Sequence, residues 1–170
     1  MIRFFLVLIA FLICSSCSND PKLGYSSTSL YSTQYRSVAV PIFQNDTMTR
    51  NLEFMLTDAV IKEIQSRTQY RVLGEQYADT ILTGTITSVD MQMLSQSRTT
   101  GLDNEMLVKV VLDFEWTDLM QGGRITGRKN FTGSAIFIPS RPSSEPFEVG
   151  EFAVVQQLAS DIVDQMQASW

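Results

Sequence analysis

The stretch Met106-Leu107-Val108-Lys109-Val110-Val111-Leu112-Asp113-Phe114-Glu115-Trp116 decides the fold. Met106, Val108, Val110, Leu112, Phe114 and Trp116 hold every second position, while Lys109, Asp113 and Glu115 fall between them. Successive side chains of a strand point to opposite faces, so this period of two describes a strand with one face in a core and the other in water. Such strands belong to antiparallel sheets, which cover one face and leave the other wet. The neighbours agree. Met120-Gln121-Gly122-Gly123-Arg124 is turn chemistry, and 125–138 returns with Ile125, Gly127, Phe131, Gly133, Ala135 and Phe137 on one face. On the other side, 95–104 is polar and contains Thr99-Thr100-Gly101, a hairpin tip. Before it, 81–94 is rich in Thr, Ile and Val and reads as a third strand.

That third strand changes phase. Leu82, Gly84 and Ile86 hold the apolar slots first, and Val89, Met91 and Met93 then hold the other parity. A one-residue slip would turn every later side chain to the wrong face, so a bulge is expected near Thr87 and Ser88. Met91, Met93 and Leu94, beyond the switch, read as core or as partner surface.

Helical spacing flanks the meander. Leu52, Met55, Leu56, Ala59, Val60 and Ile64 recur on one stripe, with Glu53, Asp58, Lys62 and Glu63 largely opposite, which predicts an amphipathic helix over 49–66. Phe152, Val155, Leu158, Ala159, Ile162, Val163 and Met166 make a second stripe, with Glu151 off it, predicting a helix over 149–168. Val38-Ala39-Val40-Pro41-Ile42-Phe43 reads as a buried strand, with Pro41 at its end or on an unpaired edge because proline cannot donate to a ladder. Tyr70-Arg71-Val72-Leu73 is a short extended piece, and the segment 139–146 is a loop by its three prolines. The order β-α-β-β-β-α predicts an α+β fold, two amphipathic helices packed on one face of a mixed sheet of about four strands with a long antiparallel meander.

The N-terminus carries a different kind of signal. Arg3, the ten-residue apolar run from Phe4 to Ile13 and the small residues Ser15 and Ser16 have the layout of a secretory signal. The run is too short to cross a bilayer, which takes roughly 20 residues. Ser15-Ser16-Cys17 also resembles a bacterial lipoprotein box, with Cys14 where leucine is usual. The resemblance implies that Cys17 is lipidated and becomes the N-terminus, and that Ser18 after it directs the protein to the outer membrane. The alternative is a plain secretory signal that leaves Cys17 an ordinary thiol. The expected organisation is a signal peptide over 1–16, a lipidated N-terminus and Ser/Thr-rich tether over 17–36, and a folded domain over 37–170.

Composition excludes several chemistries. The 170-residue chain has a formal charge of −5, and loss of Arg3 leaves twelve basic against eighteen acidic side chains, or −6. Nucleic-acid binding needs a basic footprint, so no nucleic-acid partner is expected. There is no histidine, and Cys14 leaves with the signal. Cys/His zinc sites, Ser-His-Asp triads and Cys-His pairs are therefore excluded, and no cofactor is expected. The carboxylate pairs Asp113/Glu115 and Asp161/Asp164 read as solvated faces rather than as a hydrolytic site.

Taken together, Leu23-Gly24-Tyr25, Leu30-Tyr31, Arg36-Ser37-Val38-Ala39-Val40-Pro41-Ile42-Phe43, Leu52-Glu53, Leu56-Thr57, Ala78-Asp79-Thr80-Ile81-Leu82-Thr83-Gly84 and Glu145-Pro146-Phe147-Glu148-Val149-Gly150 resemble, in order and spacing, the LptE family of lipopolysaccharide-assembly lipoproteins. The resemblance implies a non-enzymatic partner that sits as a plug inside a large, LptD-like outer-membrane β-barrel. There it assists assembly of the barrel and helps deliver lipopolysaccharide to the outer leaflet, held to the periplasmic face by the lipid on Cys17. Arg124, Arg128 and Lys129 in the last hairpin, with Arg98 near the other tip, are candidate contacts to lipid A phosphates, the alternative being a solvated turn. A second reading of the same α+β unit is a lipid-anchored envelope adaptor or carrier serving another secretion or flagellar-associated assembly.

Overall fold

The computed structural model describes residues 34–96, 103–139 and 146–167. Its centre is the expected strand. β4 (Thr80–Gln96), β5 (Asp103–Asp118) and β6 (Arg124–Phe137) form an antiparallel meander with β5 in the middle. Val108, Val110, Leu112, Phe114 and Trp116 of β5 are all buried, while Lys109 and Glu115 between them are exposed.

The phase change in β4 is a bulge at Thr87, between the pairs Ile86↔Leu112 and Ser88↔Val111. Before it, Leu82 and Gly84 lie opposite Trp116 and Phe114; after it, Val89, Met91 and Met93 lie opposite Val110, Val108 and Met106. The extra residue therefore keeps the apolar positions of β4 on the same face as those of β5, which never changes phase.

β1 (Ser37–Ala39) and β2 (Gln44–Asn45) both run parallel to β4, and β3 (Arg71–Val72) runs parallel to β1, giving one six-stranded mixed sheet in the order β3-β1-β4-β5-β6 with β2 also on β4. The sheet thus has more than the expected four strands. The apolar run 38–43 is not one strand, because Pro41 has no N–H to give and the chain leaves the ladder after Ala39 before rejoining it at Gln44. The extended piece at 70–73 supplies β3.

α1 (Leu52–Arg67) lies toward β2 and β3, and α2 (Phe147–Gln165) lies over β5 and β6 and packs along α1. Leu52, Leu56, Val60 and Ile64 of α1 join Val155, Leu158, Ile162 and Met166 of α2 in one core with the sheet. Thr57 is buried there because its hydroxyl accepts from Phe43 N (3.0 Å) and donates to Glu53 O (2.6 Å). α2 approaches β6 at Gly133, where a Cβ would stand 2.5 Å from Leu158 Cγ. The C-terminal turns of the helices are tied by Arg67, which donates to Ser160 Oγ (2.8 Å) and pairs with Asp164.

Two assignments on α2 change. Phe152, expected on the buried stripe, is 57 % exposed, and Glu151, expected off it, is buried. The sheet-facing line through Val154, Val155, Leu158 and Ile162 runs back through Glu151, and one residue is about 100° of helix rotation. Met91 and Met93 also turn out exposed, although they share the helix-side face with Val89.

Candidate functional site: the bulged hairpin and the open sheet face

The face of the sheet away from the helices carries the odd positions of β5 and the residues paired with them. Thr83 and Thr85 of β4 lie opposite Glu115 and Asp113, and Asp90 lies opposite Lys109. On the other side, Thr132 and Ser134 of β6 face Val111 and Lys109. A solvated face of an antiparallel sheet is expected to be polar, and this one is. Ile81, Leu107, Val111 and Ile136 are apolar exceptions, of which Ile136 is exposed.

The β5–β6 turn is built by Asp118. Its carboxylate accepts from Met120 N (2.7 Å) and Gln121 N (3.1 Å), while its backbone N–H donates to Gly123 O (2.8 Å). β6 then departs from regular pairing twice, near Ile125 and at Lys129-Asn130. Asn130 sits at φ 53°, a left-handed conformation that Asn tolerates better than most side chains, and its N–H donates to Asp113 Oδ1 at 2.7 Å.

These irregularities bring the basic residues of the last hairpin together. Arg124, Arg128 and Lys129 line one shallow groove of about 540 Å³, with Thr83, Thr85, Asp113 and Glu115 from the open face, Ile42 from the β1–β2 connection and Gln44 from β2. Arg124 Nε lies 3.5 Å from Glu115 Oε1. Its guanidinium rests over Gly127, where a Cβ would come within 2.8 Å of Arg124 Nη2 and 2.6 Å of Phe114 O. Arg128 Nε donates to Gln165 Oε1 at the end of α2 (3.0 Å). Lys129 has no ion pair among the described residues.

The expected cluster is therefore real as a spatial group, but its members differ in what holds them. The Arg124–Glu115 pair is half-exposed on both sides and contributes little to stability, so an incoming anion can exchange with Glu115 at small cost. Arg128 is positioned by a neutral amide and keeps its charge available. Sequence reasoning grouped the three cations but missed Asn130, Gln165 and Gly127, which shape the site. Asp113 and Glu115, read as a solvated pair, serve as a latch for the bulge and a partner for Arg124. Cys17 and Arg98 lie outside the described residues.

Among the described residues, no group of three potential ligands is placed to hold a metal ion, and no helix is long and apolar enough to cross a membrane.

The LptE lipopolysaccharide-assembly family model matches residues 35–169. The chain belongs to that family. No curated protein matches its sequence. Among solved structures, the LptE-family domain is similar to PelC of Paraburkholderia phytofirmans, solved as a dodecamer, with TM-score 0.54 and 18 % identity over 84 % of this chain and 96 % of that one. A Xanthomonas campestris protein gives TM-score 0.54 at 11 % identity, covering 78 % of this chain and 87 % of that one. A hypothetical protein of Chlamydia trachomatis gives 0.51 at 7 %, covering 78 % and 98 %. At these identities the likeness is one of fold, and function in an LptE-family chain has to be argued from its own surfaces.

Proposed function

We propose that this protein is a non-enzymatic outer-membrane lipoprotein that plugs and helps assemble an LptD-like β-barrel translocon, through which lipopolysaccharide reaches the outer leaflet. The observation that carries the reading is the family match across nearly the whole folded domain. The open sheet face supports it. Large barrels enclose a polar lumen, and a domain presenting threonines, serines and paired charges on one broad face fits such a space without burying unpaired polar groups. Lipidation at Cys17 would hold the domain at the periplasmic face beside its partner.

Within this reading the groove at Arg124, Arg128 and Lys129 takes the phosphates of lipid A. Guanidinium groups on a rigid strand bind phosphate through paired, charge-assisted hydrogen bonds, and Lys129 adds a point charge. Extraction of the native complex in mild detergent tests the partner, with co-purification of a large outer-membrane barrel as the expected result. Recovery of the protein alone, or with a periplasmic secretion or flagellar complex, would refute the plug reading. Arg124→Glu with Lys129→Glu is expected to weaken lipopolysaccharide binding by the purified protein at least tenfold, about 1.4 kcal/mol, while leaving barrel co-purification intact.

A further inference from the structure

We propose that the end of the sheet where the chain enters the domain is a second membrane-contact surface, a bilayer footprint made by Tyr77, Leu119 and Met120 beside Arg36 and Arg71. The proposal rests on the reading of Cys17 as a lipid anchor. Tyr35 donates through its hydroxyl to Asp118 Oδ2 (3.2 Å), and the backbone N–H groups of Arg36 and Ser37 donate to Asp79 Oδ2 (2.9 and 3.0 Å). The entering chain is thus fixed to the base of β4 and to the β5–β6 turn. Leu119 belongs to the same clasp, since its N–H donates to Asp79 O (2.9 Å), and Tyr77 stands two residues before Asp79.

Three large side chains stay in water at this end: Tyr77 is 73 % exposed, Leu119 40 % and Met120 79 %. Turns at a domain's surface ordinarily carry small polar residues, as Gln121, Gly122 and Gly123 do here. Leucine, methionine and tyrosine at a turn tip beside exposed arginines suit the boundary of a bilayer, where apolar tips enter the acyl region and guanidinium groups remain with lipid phosphates. The charges at this end are compatible. Arg36, just before β1, and Arg71, the first residue of β3, are exposed and joined by a hydrogen bond from Arg71 N–H to Arg36 O (2.9 Å), against exposed Glu75, while Asp79 and Asp118 are occupied by backbone N–H groups.

Cys17 and Gln34 are seventeen positions apart, so the connecting chain can reach at most roughly 60 Å. A lipid on Cys17 makes contact of this end with the same bilayer intramolecular, so three side chains suffice where a free domain would need more. The contact also sets orientation: β4 rises from this end, and its far end stands roughly 50 Å away at about 3.3 Å per residue.

The test uses the full-length lipidated protein in vesicles of phosphatidylethanolamine and phosphatidylglycerol. An environment-sensitive fluorophore is attached at Met120→Cys, at Tyr77→Cys, or at Met48→Cys, a fully exposed position before α1 that serves as the water reference. Quenching by bromine on the acyl chains is expected at 120 and 77 and not at 48, and Leu119→Asp is expected to abolish quenching at 120. Water-like signals at all three sites in protein that floats with the vesicles would overturn the contact while leaving the anchor intact, and would assign these side chains to a protein partner. Failure to float would overturn both.

Discussion

The indole N–H of Trp116 donates to the hydroxyl of Thr80 at 2.9 Å, and that hydroxyl donates in turn to the carbonyl of Ser37 at 3.0 Å. Both side chains are buried, so the relay joins β5, β4 and β1 inside the core, beneath the rings of Tyr35 and Tyr70, whose centroids lie 5.9 and 5.7 Å from that of Trp116. Thr80→Val keeps the shape and leaves the indole N–H unpaired, which costs about 1–3 kcal/mol. Urea unfolding followed by far-UV circular dichroism should show a lower midpoint with an unchanged slope. A midpoint equal to wild type would mean that the relay adds nothing.

Asp79 gives stability a defined dependence on acid. The backbone N–H of Arg36, and then the Ser37 hydroxyl, hold its carboxyl below the ordinary carboxylate range, against a smaller opposing effect of burial. A depressed folded-state value means that the unfolded chain takes up the proton first as pH falls. The stabilisation is therefore complete above the ordinary carboxylate value and is lost as pH drops through the folded one. Asp79→Ala is expected to lower stability at neutral pH by about 1–3 kcal/mol and to flatten the acid limb of a pH series of melting temperatures.

Glu151 behaves in the opposite sense. Burial, then the nearby charge of Glu148, raises its carboxyl above the ordinary value. Between the two values the folded state holds a proton that the unfolded chain has released, so stability falls as pH rises through that window. Glu151→Gln should remove this slope and raise the melting temperature above the window, measured by calorimetry from about pH 4 to about pH 8.

Much of this architecture is legible in the residues, and the gaps have physical causes. β5 can be read directly because burial on one face writes a period of two into eleven consecutive positions, and the bulge at Thr87 shows as a break in that period. β2 cannot, because it is two residues long and leaves no period to detect, while β3, equally short, shows only as the extended piece at 70–73. Glu151 and Phe152 exchange roles because a sequence stripe gives a helix's apolar side only to within about one residue, or 100°. The basic hairpin is visible as a cluster. Its partners are not, because Glu115, Asp113 and Gln165 reach it through bulged register and through the end of α2, neither of which is written locally.

Gly133 tests how closely α2 sits on the sheet. With Leu158 Cγ at 2.5 Å from a Cβ built there, Gly133→Ala must displace the helix or force Leu158 from its rotamer. Overpacking of this kind costs about 1–3 kcal/mol. A double variant with Leu158→Ala should recover part of the loss through the space it opens. If the double variant lost the sum of the two single effects, the positions would be independent and the contact unimportant.

Asp113 separates the shape of the groove from its charge. Its Oδ1 accepts from the N–H of Asn130 at 2.7 Å and so holds the bulge that sets Arg128 and Lys129 at the groove. Asp113→Ala removes a negative charge beside three cations, and a purely electrostatic groove would then bind an anion more tightly. If geometry decides, loss of the latch lets the bulge relax, and binding weakens despite the more positive surroundings. The bond is exposed, so the stability change should be only about 1 kcal/mol, and the fold persists for the comparison. Titration of Asp113→Ala with lipopolysaccharide should show weaker binding than wild type, and Asp113→Asn, which retains an acceptor oxygen without the charge, should restore it. Tighter binding by both variants would show that the bulge has no role in presenting Arg128 and Lys129 and that charge alone governs the groove.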